Sequence, residues 1–440
     1  MNVYVRRDTL DIWLHAALFS LYLGTLSVIG TASRLGLGSV SMLGLILLTL
    51  TLTASAAWRA RSVPLLGVTL LGALPFAHLA VGVLGGGSTD GSFVYLYKFS
   101  GYLLIPYLWV WACTRTDERI ERTLMLIATF IAVRALATFV LPALGRDHVG
   151  LADDFIIWER VGPLARVFFP GQGLMFLGLM IALRGVFVAR GQDLKREGLR
   201  AALFMGALGV TFSRGSLIFA ALLATLFILV RFARQRAASS HKARLVLGAL
   251  MALNAAGVAV FLTPLATPAG QFVTQFRGQE RFSLDPRNLD WRAEQVRAAR
   301  LLIRTDEDRA FGVGTATHIP EDVAHPIPGQ VTNELHYSYA SVQWTFGNVG
   351  LALLAVFGIA QPLLRAAIRR PATRLALPAA LTLAYIALCG AYTITFTSTD
   401  WSFMLALCGA YLNARSSRHA PPAVPAPPRP ARFPKGLLHD

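Results

Sequence analysis

Apolar runs of about the length of a membrane-spanning helix recur along most of the 440-residue chain. A helix needs about 20 apolar residues to cross the hydrocarbon core of a bilayer. Hydrophobic residues make up 55% of the chain and charged residues only 15%, which is too few charges for the surface of a soluble protein. The pattern predicts an all-α, polytopic membrane protein. We predict twelve spans, at residues 10–31, 37–57, 63–84, 94–113, 121–143, 163–184, 198–213, 215–231, 244–263, 338–360, 373–395 and 400–414.

The predicted spans divide the chain into four parts. Residues 1–263 hold the first nine spans, 264–337 form one large loop, 338–414 hold the last three spans, and 415–440 form a tail rich in Pro and Arg. The first span is too long for a signal peptide. A loop as long as 264–337 is usually functional.

An amphipathic helix is predicted inside this loop, at residues 289–303. Its apolar side chains can share one side of the helix, and four arginines are among its polar residues. The apolar residues are Trp291, Val296, Ala299, Leu302 and Ile303, and the arginines are Arg292, Arg297, Arg300 and Arg304. Such a helix could lie on the membrane or pack over the helix bundle as a lid.

Basic residues predict the orientation of the chain, which carries 41 Lys and Arg against 24 Asp and Glu. Short cytoplasmic loops of membrane proteins are enriched in Lys and Arg. If the N-terminus is cytoplasmic, most of the basic residues fall in cytoplasmic loops, and the even number of spans places both termini on that side. The loop 264–337 then faces the outside, and the net charge of +17 needs no nucleic acid as a partner.

Several cations depart from this rule because they lie on the outer side or in the outer part of a span. They are Lys98, Arg134, Arg160, Arg166 and Arg214. A charge within a span is costly and is usually functional, although a single long side chain can snorkel to the headgroups. Several such cations on one side favour a site for a polyanion at the outer membrane surface.

The outer side also holds the candidate for acid–base chemistry. His336 lies where the tenth span begins, and a neutral imidazole there could act as a general base near neutral pH. The alternative is an interfacial polar residue. Glu334 is the reserve base. His78 lies inside a span and is interpreted as a packing or polar helix contact.

Metal and nucleotide sites are not expected. The outer histidines lack zinc-type spacing and no cysteine accompanies them. Cys113, Cys389 and Cys408 lie in apolar runs, which favours small core residues over disulfides. The Gly-x-Gly at Gly312 and Gly314 follows no predicted strand, so it does not indicate a nucleotide site.

Four segments, in this order, resemble motifs of the O-antigen ligase and polymerase superfamily of bacterial membrane glycosyltransferases. The resemblance covers residues from about 160 to 360 and includes the number of spans. The segments are Thr211-Phe212-Ser213-Arg214-Gly215-Ser216, Arg287-Asn288-Leu289-Asp290-Trp291, Phe311-Gly312-Val313-Gly314, and His336 followed by Gly347 and Gly350.

The resemblance implies transfer of a glycan from undecaprenyl diphosphate to an acceptor hydroxyl, at the periplasmic face of the inner membrane and without metal or cofactor. His336 would take the acceptor proton, while Arg214 and Arg287 would stabilise the diphosphate leaving group, since arginine binds phosphate oxygens in bidentate fashion. The two glycines after His336 would let the tenth span approach a neighbour closely. The residues implied in binding the lipid diphosphate are Lys98, Arg134, Arg160 and Arg166.

Several functions remain open at this point. A ligase would use lipid A–core as its acceptor, whereas an O-antigen or exopolysaccharide polymerase would use another lipid-linked repeat unit. The single large loop and the basic charge suit a phosphorylated lipid acceptor and favour the ligase. A transporter of lipid-linked glycan and a non-catalytic scaffold are the alternatives from other classes. A transporter would be expected to show repeated halves and broken helices, as many transporters do.

Overall fold

We describe the fold from a computed structural model of the chain. The residues that it describes are 2–24, 37–57, 59, 63–84, 92–140, 158–161, 164–167, 169–211, 214–235, 245, 247–249, 251–252, 286–315, 317, 335, 337–369, 373–391, 396 and 398–416. Of these, some are described in their backbone alone, including 158–161, 164–166, 214–215 and 286–292.

The regular secondary structure of the described residues is helical apart from one antiparallel hairpin. A π-helical segment, Leu353–Ala360, joins the helix that begins at Ser338 to the helix that ends at Arg369 without interruption. The elements are α1 Asn2–Tyr22, α2 Gly38–Ala57, α3 Val63–Leu84, α4 Ser92–Leu103, α5 Ile105–Thr114, α6 Asp117–Val140, β1 Trp158–Val161, β2 Leu164–Val167, α7 Gln172–Val188, α8 Gln192–Gly209, α9 Arg214–Gln235, α10 Pro286–Leu302, α11 Asp306–Phe311, α12 Ser338–Ala352, α13 Gln361–Arg369, α14 Ala376–Gly390 and α15 Thr399–Ser416.

Among the described residues, four helices are long and apolar enough to cross a membrane: Gly38–Ala57, Leu65–Leu84, Asp117–Val140 and Ser338–Arg369. Shorter apolar helices add to them. The expectation of a helical membrane protein is thereby confirmed in its coarse form. The number of twelve spans stays a prediction, and the predicted ninth span, 244–263, lies mostly outside the described residues.

The sixth predicted span needs a correction, because its first residues form a strand. β2 pairs with β1 in the register Trp158 to Val167 and Val161 to Leu164. Helix α7 begins only at Gln172, after Pro170 and Gly171. The span was predicted from hydropathy alone, and valine and leucine are as compatible with a short strand as with a helix.

Two other spans also differ from their predicted limits. Helix α8 starts at Gln192, six residues before the predicted seventh span, because its charged first turns are amphipathic: Leu194 and Ala201 are buried on one side. The fourth predicted span is divided at Leu104 into α4 and α5. Pro106 has no N–H to donate to the preceding turn, and this explains a break there.

The core is built around α15 and α7. Phe403, Met404 and Leu405 of α15 have no exposed surface, and α15 packs against α4, α5, α13 and α14. By contrast, α2 and α3 expose large apolar side chains such as Leu47 and Leu66. Helices that are apolar on the outside are expected where lipid, not water, covers them.

One end of the bundle is held together by ion pairs. Arg115 binds Asp11 of α1 at 2.7 Å, and Arg184 of α7 binds Glu121 of α6 at 2.7 Å. Arg415 at the end of α15 binds Asp117 at the start of α6 at 2.9 Å. The start of α6 therefore meets the ends of α7 and α15. The other end of α6 consequently lies with the starts of α7 and α15, and this is the end that carries the candidate site.

Candidate functional site

A backbone hydrogen bond joins the hairpin to the segment that precedes Arg214. The Val167 N–H donates to the Val210 carbonyl at 3.1 Å. Val167 follows Arg166 directly, and Val210 lies between α8 and α9, whose first residue is Arg214. Strand β2 also packs against α6, the helix of Arg134. The segments that carry three predicted phosphate ligands therefore meet at one end of the bundle.

The strand register gives the positions of the two hairpin cations. Arg166 lies opposite Glu159, and Arg160 lies opposite Ala165. Neighbours across an antiparallel pair share one face of the ribbon, so Arg166 and Arg160 lie on opposite faces of the hairpin. The register therefore does not support the prediction that both hairpin arginines bind one ligand. The side chains of Arg166 and Arg214 lie outside the described part, so their convergence stays a prediction.

The turn at Gly171 connects this region to α15. Its N–H donates to Asp400 Oδ2 at 2.8 Å, and the Ser398 hydroxyl donates to Asp400 Oδ1 at 2.7 Å. Gly171 has φ of 91°, and a Cβ there would overlap Ile131, which lies one turn before Arg134 on α6. The buried Asp400 therefore ties the starts of α7 and α15 to the outer half of α6.

Asp400 was missed in the sequence analysis. Its one signal is its position, since an acidic residue in the first turn of a helix complements the helix dipole. That signal accounts for a helix start, but it does not reveal that the partner is a glycine 229 residues away.

Lys98 of α4 lies at the same end of the bundle as the hairpin and the start of α15. Its Nζ is 5.7 Å from the centre of the Tyr95 ring, a cation–π distance. Its carbonyl accepts a hydrogen bond of 2.8 Å from Ser402 of α15. Tyr95 in turn packs edge-on against Phe346 of α12. Lys98 is therefore positioned beside α12 and α15.

Helix α12 is broken at Gly347, where the backbone is left-handed with φ of 65°. The break leaves two carbonyls of the preceding turn without a hydrogen bond from their own helix, and N–H groups of the loop bind them instead. Val313 N–H donates to the Trp344 carbonyl at 2.9 Å, and Gly314 N–H donates to the Thr345 carbonyl at 3.3 Å. The Gly-x-Gly segment is thus a backbone clamp on α12.

The predicted close approach at Gly347 is confirmed, and the neighbour is the chain's own loop. A Cβ on Gly347 would overlap the Ala310 carbonyl, and a Cβ on Gly312 would overlap the Thr345 carbonyl. Gly350 faces α3, where a Cβ would meet Leu74 at 3.4 Å. Glycine is needed at Gly347 and Gly312 because any side chain there would push the loop backbone away from the backbone of α12.

The amphipathic helix forms as predicted and packs over the bundle. Ala299 of α10 is buried against Leu335 and Trp344, and Leu302 and Ile303 are partly buried in the same cluster. This contact supports the predicted placement over the bundle, because the apolar side chains that the structure describes pack on α12.

The catalytic candidates themselves are only partly described. His336 and Glu334 lie outside the described residues, and Arg287 is described in its backbone alone, in the first turn of α10. Leu335, between the two base candidates, is 1% exposed and contacts α10. The helix that carries Arg287 in its first turn therefore packs, through Ala299, on the segment that carries His336. Their side-chain distance stays a prediction.

His78 was interpreted as a packing or polar contact, and the structure gives it a specific place. Its ring packs edge-on against Phe346 at 5.2 Å. Its Nδ1 lies 3.3 Å from where a Cβ on Gly314 would be. His78 therefore links α3 to the clamp. No sequence pattern indicated this contact.

The buried thiol of Cys389 packs against the start of α9. Cys389 Sγ contacts Ser216 Oγ at 3.8 Å, and Ser216 lies two residues after Arg214. All three cysteines are buried and free, as expected for small core residues. In the part of the chain that the structure describes, no group of His, Cys, Asp or Glu is arranged to hold a metal.

Comparison with known proteins adds nothing to this geometry. No protein-family model and no curated protein matches the chain. The function is therefore argued from the residues and their positions.

Proposed function

We propose that the protein is a membrane glycosyltransferase that moves a glycan from an undecaprenyl diphosphate carrier to a hydroxyl of lipid A–core, at the periplasmic face of the inner membrane. The observation that carries the proposal is the Val167–Val210 hydrogen bond. It joins the strand of Arg166 to the segment of Arg214, next to the helix of Arg134. A diphosphate carries several negative charges, and three guanidinium groups at one end of a bundle suit it.

The donor would bind with its lipid tail in a groove between helices and its diphosphate at the arginine segments. Lys98 would complete the cationic surface, whereas the strand register puts Arg160 on the face of the hairpin opposite to Arg166, so Arg160 is left out of it. Arginine stays protonated and binds phosphate oxygens through two parallel N–H groups, so it holds the diphosphate in a fixed orientation.

The chemical step is a single in-line displacement. The acceptor oxygen attacks the anomeric carbon and forms the new glycosidic bond, while the bond from that carbon to the diphosphate oxygen breaks. His336 accepts the proton from the acceptor hydroxyl, and undecaprenyl diphosphate leaves with the electron pair. Arg214 and Arg287 stabilise the negative charge that builds on the leaving oxygen. One displacement inverts the configuration of the anomeric carbon.

A transporter is the second candidate, because α12 is a broken helix of the kind that transporters use. In transporters, the backbone groups freed by such a break coordinate the cargo. Here the freed carbonyls of Trp344 and Thr345 are bound by Val313 and Gly314 of the same chain. This arrangement favours a structural role for the break and supports the transferase.

The test is a transfer assay with the purified protein, lipid-linked glycan and lipid A–core in the absence of other proteins. Arg214→Ala should lose most transfer activity, and Arg214→Lys should recover only part of it, since a point charge does not replace a bidentate group. Arg122→Ala, at an exposed arginine of the ion-paired end, is the matched control and should keep activity. Polymer formation without lipid A–core would indicate the polymerase, and movement of intact donor across the membrane would indicate the transporter.

A further inference from the structure

The outward face of α10 is cationic and has a defined composition. Arg297, Arg300, Leu301 and Arg304 are spaced three or four residues apart and therefore share one side of the helix and its extension. All four are exposed, and Leu301 is 74% exposed. The opposite side is the one that packs on α12 through Ala299.

Two of the acidic residues that follow this face, Asp306 and Asp308, already have partners in the loop itself. Asp308 Oδ2 accepts the backbone N–H groups of Arg304 and Thr305 at 3.1 and 3.0 Å, and these bonds hold the pKa of Asp308 below its ordinary value. Asp306 pairs with Arg309 at 3.0 Å. Among the described residues, no carboxylate binds the guanidinium groups of Arg297, Arg300 or Arg304.

An apolar side chain accompanies the cations on the same side of the helix, since Leu301 is exposed among Arg297, Arg300 and Arg304. A leucine among three arginines matches a surface that offers phosphate groups and hydrocarbon together. The headgroup region of a membrane offers both, whereas an aqueous anion offers only the first.

We propose that this face, consisting of Arg297, Arg300, Leu301 and Arg304, docks on phosphorylated lipid in the outer leaflet of the membrane. The apolar side of α10 holds the helix on α12, beside the segment of His336. Phosphorylated lipid bound on the outward side of α10 would therefore lie close to His336, the proposed base. That this lipid includes the acceptor rests on the proposed function, but the docking itself does not.

The native cysteines make a direct test practicable, since all three are buried. Leu301→Cys is labelled with an environment-sensitive fluorophore, and the full chain is placed in nanodiscs of phosphatidylcholine with increasing amounts of lipid A. We expect the emission to shift as lipid A is added, and much less with dephosphorylated lipid A. Inorganic phosphate in the buffer should not reproduce the shift.

Charge variants identify the residues responsible. A cation near an anionic membrane contributes roughly fivefold to binding, so Arg297→Gln, Arg300→Gln and Arg304→Gln together should weaken the lipid A response about a hundredfold. The corresponding three lysine substitutions should retain most of the response and show that the surface tolerates substitution. The matched control, Arg190→Gln with Lys195→Gln and Arg196→Gln, removes three exposed cations from the other end of the bundle and should leave the response unchanged.

Two results would overturn the inference. The first is an emission shift that does not depend on the lipid phosphate, and the second is an equal loss in the glutamine triple variant and its control. Because the readout is binding, these results are independent of transfer activity. A normal lipid response in an inactive protein would count against the proposed function and leave the docking surface intact.

Discussion

The backbone N–H of Val313 donates a hydrogen bond to the carbonyl of Trp344 at 2.9 Å, and this bond joins the large loop to the interior of α12. It exists because Gly347 breaks the helix three residues later. The loop is therefore held to a spanning helix by main-chain contacts at its clamp, while α10 adds side-chain packing through Ala299. Together, these contacts hold α10 and its arginines beside the segment of His336.

Gly347→Ala should detach the clamp. A left-handed backbone costs a non-glycine residue about 1–3 kcal/mol, and the added Cβ would also overlap the Ala310 carbonyl. We expect faster proteolysis of the loop and a lower Tm in detergent. Gly44→Ala is the control, because a Cβ on Gly44 meets nothing within 4 Å. Equal proteolysis of both variants would contradict the clamp.

Asp400→Ala should weaken the end of the bundle that carries the site. The change leaves the buried Gly171 N–H without its acceptor, and a buried unpaired group costs about 1–3 kcal/mol. We expect a lower Tm and weaker binding of the lipid donor. Asp193→Ala is the control, since Asp193 is 68% exposed. The interpretation fails if the two variants unfold at the same temperature.

His336→Ala should slow turnover by about 10²–10⁴ without weakening donor binding, because a general base acts on the acceptor proton. The pH–rate profile of the wild type should show an ionisation near neutrality that the variant lacks. Glu334→Ala is the comparison. If Glu334→Ala loses activity and His336→Ala does not, the base is Glu334. If both retain activity, the acid–base part of the mechanism is wrong.

Labelling should place the large loop on the outer side. His318→Cys introduces a thiol into the loop, and the native thiols are buried. We expect a membrane-impermeant maleimide to modify this variant in intact spheroplasts, and a thiol at Arg190→Cys to react only after the membrane is opened. Modification of His318→Cys only after opening would contradict both the topology and the periplasmic site.

Local patterns in the sequence were sufficient for several helices. The apolar run 37–57 predicted α2, found at Gly38–Ala57, and the periodicity over 289–303 predicted α10, found at Pro286–Leu302. Both predictions depend on the side chains of one segment. The apolar segment around 163–167 formed a strand because it pairs with β1, and the hydropathy of that segment alone cannot reveal a partner.

The sequence by itself determined that the chain is a helical membrane protein, and it predicts which side of the membrane is basic and which cations lie where a charge is costly. Those properties follow from composition and from the spacing of residues along one helix. The tertiary structure decided that Gly347 clamps the loop, that Asp400 holds the Gly171 turn, that His78 faces the clamp and that the apolar side of α10 rests on α12. Each of these depends on contacts between residues far apart in the chain, and such contacts are set by packing of the whole bundle.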